Sequence, residues 1–106
     1  MVAQFDVYEN PNRAQREGYP YLVSMQSDQL AQYSTRLVMP LVRFATVPAT
    51  LPRRLTQTVV VAGETLHLAA HLSAPLPERL LRRPVGSLRT QADALRDALD
   101  AVVSGV

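Results

Sequence analysis

The apolar residues of this 106-residue chain change their period once. Up to about Leu68 they alternate in short runs, whereas Leu88, Ala92, Leu95, Leu99 and Val102 recur three and four apart. Alternation sends successive side chains to opposite faces of a strand, and spacings of three and four lay one stripe along a helix. A body of short strands followed by one terminal helix is therefore predicted, with the helix laid on the sheet to bury its stripe. The sequence shows no repeat and no second composition, so residues 1–106 are expected to form one domain.

The strands can be placed from their punctuation. Residues 3–8 alternate, with Phe5 and Val7 on one face and Gln4, Asp6 and Tyr8 on the other. A polar loop from Glu9 to Tyr19 contains Asn10-Pro11-Asn12 and Gly18 and reads as a hairpin connection. Residues 21–26 form the second strand, which Gln26-Ser27-Asp28 ends with side chains that bond nearby backbone. Residues 36–44 form the third. Its Pro40 lacks a ladder donor, which predicts an edge position or a bulge. Pro48 and Pro52 bracket a stretch not expected to be regular throughout. Residues 55–61 and 64–70 read as a hairpin closed by Ala62-Gly63, with Leu66, Leu68 and Ala70 on one face. Pro75 and Pro77 are expected to break the chain after this hairpin, and Gly86-Ser87 starts the helix, with Ser87 as its cap. On the helix, Arg89 with Asp93 and Arg96 with Asp100 are spaced to pair four residues apart.

Composition excludes several classes. With 47% hydrophobic and 19% charged residues the chain is of globular type. No apolar run approaches the roughly 20 residues of a membrane helix, and Gln4 and Asp6 interrupt the start too early for a signal peptide. Without cysteine there is no disulfide or thiol chemistry, and a cytoplasmic location is the expectation. All 11 basic residues are arginine, and the net charge of +2 is too small to indicate nucleic acid by itself. It suits attraction to an acidic partner segment. The arginines cluster at Arg13/Arg16, Arg53-Arg54 and Arg79/Arg82-Arg83, each consistent with a solvated turn.

No catalytic constellation stands out. There is no Gly-x-Ser-x-Gly elbow and no glycine-rich phosphate loop. His67 and His71 fall on a strand and its exit, where a separation of four need not converge on a metal, so no metal and no cofactor is expected. Asp93, Asp97 and Asp100 each have an arginine three or four residues away and read as a solvated helix face. The remaining candidate is surface recognition through Val102, Val103 and Val106 at the helix end, where the sequence stops without a tail.

Several short motifs, in order, resemble the CcdB family of bacterial toxins over nearly the whole chain. They are Gln4-Phe5-Asp6-Val7-Tyr8, Gln26-Ser27-Asp28, Arg36-Leu37-Val38-Met39-Pro40-Leu41, the hairpin from Val59 to Leu66 with Gly63-Glu64, and the terminal helix. The resemblance implies a mainly β fold with a C-terminal α-helix, a small SH3-like barrel of the CcdB/MazF type, paired as a two-fold homodimer. It also implies a toxin, not an enzyme, that binds the DNA gyrase A subunit and traps it on cleaved DNA. A CcdA-like antitoxin would neutralise it, and operator DNA would be reached only through that complex. By position, the gyrase surface would comprise Asp100, Val103, Ser104, Gly105 and Val106. Where the family carries an anchoring tryptophan this chain has Ser104. A central tryptophan typically contributes about 2–4 kcal/mol to an interface, roughly 30- to 1,000-fold in affinity. Antitoxin binding with weakened gyrase binding is therefore expected. Arg13, Arg16, Arg53 and Arg54 are the candidates to meet an acidic antitoxin tail. Two alternatives are a MazF/Kid-like endoribonuclease using Arg13 or Arg16, and a non-toxic homologue that only binds antitoxin.

Overall fold

Among the described residues, seven strands pair antiparallel in one curled half-barrel sheet, and a single α-helix comes after them. The computed structural model describes residues 2–43 and 53–104. Among these, β1 is Asp6–Glu9, β2 Tyr21–Ser24, β3 Thr35–Val42, β4 Thr58–Val61, β5 Glu64–Leu68, β6 Ala74–Pro77, β7 Pro84–Ser87 and α1 Ala92–Ser104. The strand order is β4-β5-β3-β2-β1-β7, with β6 also pairing β3. This is the expected mainly β body with a terminal helix, of SH3-like barrel type.

Pro40 does not sit on an edge strand, because β3 is central. On one side β3 pairs β2, with Leu22 opposite Pro40. On the other it pairs β6 through Thr35 to Val38, then β5 through Leu41 and Val42. Pro40 falls at the handover. Its carbonyl accepts the Ala69 N–H at 3.0 Å, so its nitrogen faces the gap between the two partners. A proline is tolerated in a central strand here because no partner asks for the missing donor.

Pro75 and Pro77 do not break the chain but belong to β6. In its register Leu76 lies opposite Arg36 and Ala74 opposite Val38. Alternation therefore turns the donorless nitrogens of both prolines away from β3, which suits an outer strand. A strand not foreseen from the sequence, β7, pairs β1 with Asp6 opposite Ser87 and Tyr8 opposite Pro84, its register shifting between Val7 and Tyr8. Gly86 and Ser87 thus end a strand instead of starting the helix. Ser87 Oγ accepts the Arg89 N–H at 3.2 Å, a 3₁₀ turn spans Arg89–Gln91, and α1 begins only at Ala92.

The β4–β5 hairpin forms around the expected turn but is shorter than residues 55–61 and 64–70, because 3₁₀ turns Arg53–Leu55 and Ala70–Leu72 take up its outer ends. Val61 lies opposite Glu64, and Ala62 and Gly63 both have positive φ, 52° and 78°. Two central residues of positive φ match the right-handed twist of the strands they join. Gln26-Ser27-Asp28 fixes the β2–β3 connection with all three side chains. Gln26 Oε1 accepts the Leu37 N–H and its Nε2 donates to Thr35 O, both at 3.0 Å. Ser27 Oγ accepts from Gln29 N, and Asp28 Oδ1 accepts the Gln4 N–H at 2.9 Å. The end of the expected third strand at Phe44 and the stretch between Pro48 and Pro52 lie outside the described residues.

The buried side chains form two clusters. The main core joins Phe5, Val7, Val23, Met39, Leu41, Val59, Leu66 and Leu68 to Leu88, Leu95 and Ala98. Each fully buried leucine contributes about 1.5–3 kcal/mol by leaving water. A second cluster, Val2, Tyr8, Leu22, Val38 and Leu81, lies apart from it. Tyr8, expected on a solvent face, is therefore buried. The helix stripe is as expected in most of its length, with Leu88 and Leu95 buried and Ala92 and Leu99 packed against the core; Ala98 and Ala101 are buried beside them, while Val102 is 40% exposed. Short alanines let the helix lie close to the sheet, and the longer Val102 is left at the rim. The pairs expected on the helix do not form. Asp93 lies 3.7 Å from Arg96 instead of pairing Arg89, and Asp100 is bound elsewhere. No helix among the described residues is long and apolar enough to cross a membrane.

Candidate functional site

The last three residues of α1, Val102 to Ser104, present their side chains to solvent. Val103 is 85% exposed, and Ser104, the last described residue, is exposed beside it. Gly105 and Val106, assigned to the same surface by resemblance, lie outside the described residues. Asp100, one turn earlier, is held: Arg54 Nη2 donates to its Oδ2 at 2.7 Å and lies 3.8 Å from Asp97 Oδ1. Arg54 comes from the 3₁₀ turn Arg53–Leu55, and the nearby Gln57 also donates to Ala94 O at 3.5 Å. An arginine considered for the antitoxin and an aspartate considered for gyrase are thus bonded to each other.

The four candidate arginines divide into two groups. Arg53 and Arg54 line a cleft against Asp97 of the helix. Arg13 and Arg16, in the loop between β1 and β2, instead share a cleft with Arg82 and Arg83. Arg16 is tied down, its Nε donating to Asn10 O at 2.6 Å and its Nη1 lying 3.1 Å from Glu9. Asn12 Oδ1 accepts the Ala14 N–H at 3.1 Å, which shapes the turn that carries Arg13. Sequence reasoning did not reach Arg82 and Arg83 as part of a site. They are visible as a basic cluster, but the signal that joins them to Arg13 is the β1–β7 pairing, which has no local counterpart in the sequence.

Other charged groups serve the framework. Arg43 grips Glu64 with two nitrogens and donates to Glu17 O at 2.9 Å, tying β3, β5 and the first loop. The Glu64 hydrogen bond holds Arg43 still more firmly in its charged form. His67 is half-buried on β5 between the core residues Leu66 and Leu68, while His71 is exposed in the turn Ala70–Leu72. Among the described residues no three His, Asp or Glu side chains converge in a way that would hold a metal ion.

A curled antiparallel sheet of half-barrel form with one C-terminal helix defines a small barrel-type domain. The chain belongs to the CcdB family: the family model described as CcdB protein matches residues 4–105. Its class is that of the toxin in a toxin–antitoxin pair. No curated protein matches the chain as a relative.

Proposed function

We propose that this protein is the gyrase-directed toxin of a two-component module and acts by binding, without catalysing a reaction itself. The observation that carries this reading is the unburied end of α1, where Val103 is 85% exposed, in a chain that the family model matches over residues 4–105. In this reading Asp100, Val103, Ser104, Gly105 and Val106 meet the gyrase A subunit and stabilise its cleaved-DNA complex. A two-fold homodimer brings both helix ends to one target, so each substitution acts twice. An acidic CcdA-like antitoxin masks the toxin, and the pair together occupies operator DNA.

Ser104 sets the potency. With no tryptophan to fill a pocket on the target, affinity rests on the small apolar groups around it, and gyrase binding is expected to be weak. The test is a calorimetric titration of the purified protein against the gyrase A fragment of its own host. Saturable binding that is lost on Gly105→Glu or Val106→Glu is expected. A folded protein that shows no binding, yet cuts RNA in an Arg13-dependent manner, would replace this reading with the ribonuclease one. A protein that binds antitoxin but neither gyrase nor RNA would be a sequestering homologue.

A further inference from the structure

Helix α1 carries its charges against its own dipole. Asp97 and Asp100 stand in its second half, and its last turn holds no basic residue. Unpaired carbonyls give the C-terminal end of a helix a partial negative charge, so a carboxylate as close to it as Asp100 is repelled. The spacing of three also sets Asp97 and Asp100 on one side of the helix, where they repel each other. Left without a counter-charge, the pair favours fraying of the last turn, the one that presents Val103 and Ser104.

One guanidinium answers both carboxylates. Arg54 Nη2 donates to Asp100 Oδ2 at 2.7 Å and lies 3.8 Å from Asp97 Oδ1. Its side chain is 32% exposed, against 60% for Asp97 and 68% for Asp100, so Arg54 is the better-anchored member of the set. The turn that carries it is fixed from two directions. Gln57 Nε2 donates to Arg54 O at 3.3 Å and to Ala94 O of the helix at 3.5 Å, while Gln57 O accepts the Leu68 N–H at 3.2 Å. Within the turn, the Thr56 N–H and hydroxyl both donate to Arg53 O at 3.0 Å. The apolar hold on α1 weakens over the same stretch: Ala98 and Ala101 are buried but short, and Val102 and Val103 are exposed.

We propose that Arg54 is a positioning residue for the recognition surface at the end of α1: by holding Asp97 and Asp100 it keeps the last turn helical and sets the direction in which Val103 and Ser104 meet their target. The inference rests on the gyrase reading. It takes Arg54 out of the antitoxin surface, because a guanidinium shared between two carboxylates has little left to offer a third. A lone exposed ion pair contributes little. Here a single arginine offsets two like charges and the helix end together, and the surface it steadies has no tryptophan to anchor it.

The experiment uses the full-length, isotopically labelled protein, with backbone order parameters from NMR relaxation and a calorimetric titration against the host gyrase A fragment. Arg54→Ala is expected to drop the order parameters of Ala101, Val102 and Val103 from the rigid range, about 0.85, toward the flexible one, below about 0.6. Val23 and Leu41 in the sheet should keep theirs. Gyrase affinity should fall about three- to tenfold, and the difference from wild type should shrink as salt is raised. Arg54→Lys should recover part of both changes, because it keeps the charge without the fork. In an Asp97→Asn/Asp100→Asn background no charge remains to be offset, so Arg54→Ala should leave the order parameters as they are. Arg89→Ala, in the 3₁₀ turn before the helix, should change neither measurement. A helix end that stays rigid in Arg54→Ala would overturn the inference, and weaker binding alongside it would make Arg54 a contact residue instead. An equal loss of order in the asparagine background would overturn it too, by showing that packing and not charge is at work. A loosened helix end with gyrase affinity unchanged would likewise overturn it and leave the gyrase reading intact. Wild-type protein that does not bind gyrase would remove that reading, and this role with it.

Discussion

Arg36 is 2% exposed, and its guanidinium has the whole β2–β3 connection to hold. It donates to the carbonyls of Tyr33, Thr35 and Ala31, the last at 3.0 Å, and lies 3.2 Å from Glu78. A buried charge is tolerable when its donors are answered in this way. Arg36→Ala would leave three carbonyls and a carboxylate without their partner. The expected loss is about 2–3 kcal/mol, below the usual figure for a broken buried pair because Glu78 is partly solvated. Arg36→Lys should recover little of it, since one ammonium cannot fan out to the same carbonyls. Urea unfolding midpoints decide both. Tyr8, nearby, gives a pH signature. Burial pushes its hydroxyl pKa up, Asp6 and Glu78 add to the rise, and Arg36 opposes it. In the unfolded chain the group titrates near pH 10. Above that pH the unfolded chain gives up the proton before the folded one does. The unfolded state then binds fewer protons, and stability falls as pH rises. Stability is expected to hold below about pH 10 and decline above it, with a shallower decline in Tyr8→Phe. Parallel stability–pH curves for the two proteins would show that Tyr8 is not the group responsible.

Among the secondary-structure elements, those with prolines carried the most misleading local signals. Pro40 reads as an edge because a lone strand cannot show which of its two sides changes partner. Pro75 and Pro77 read as breakers, yet their spacing of two puts both missing donors on the same side of a strand. The outer side of β6 is thereby denied two N–H groups that a foreign strand would need. Pro75→Thr/Pro77→Thr restores them. Its expected result is increased self-association in light scattering at unchanged helix content. A variant that stays as monodisperse as wild type would show that these prolines do not guard that strand. The β4–β5 hairpin was legible because its turn residues, its two-residue length and its flanking alternation all agree. Strand β7 was not: Pro84 to Ser87 is exposed along its whole length and has no apolar alternation to announce it. It pairs because β1 offers an open ladder, and that offer is tertiary.

For the protein in its entirety, the expected weakness toward gyrase comes from one exposed position at the end of α1. Ser104→Trp should raise affinity for the host gyrase A fragment by at least about tenfold, seen as tighter titration and stronger growth arrest without antitoxin. No gain would mean that this family member addresses its target with a different surface. The order of residues alone was enough to specify the strand-rich body, the terminal helix, the Ala62-Gly63 hairpin and the connection closed by Gln26-Ser27-Asp28. Those features arise from periodicity and from side chains acting on backbone a few residues away, which are local forces written in local order. Long-range packing was needed to bury Tyr8, to add Ala98 and Ala101 to the buried face of α1, and to bring Arg54 to Asp100 across 46 residues of sequence. It also set Arg82 and Arg83 beside Arg13 and Arg16. That last placement depends on the β1–β7 pairing, with Pro84 set opposite Tyr8, and no short window of sequence contains both sides of it.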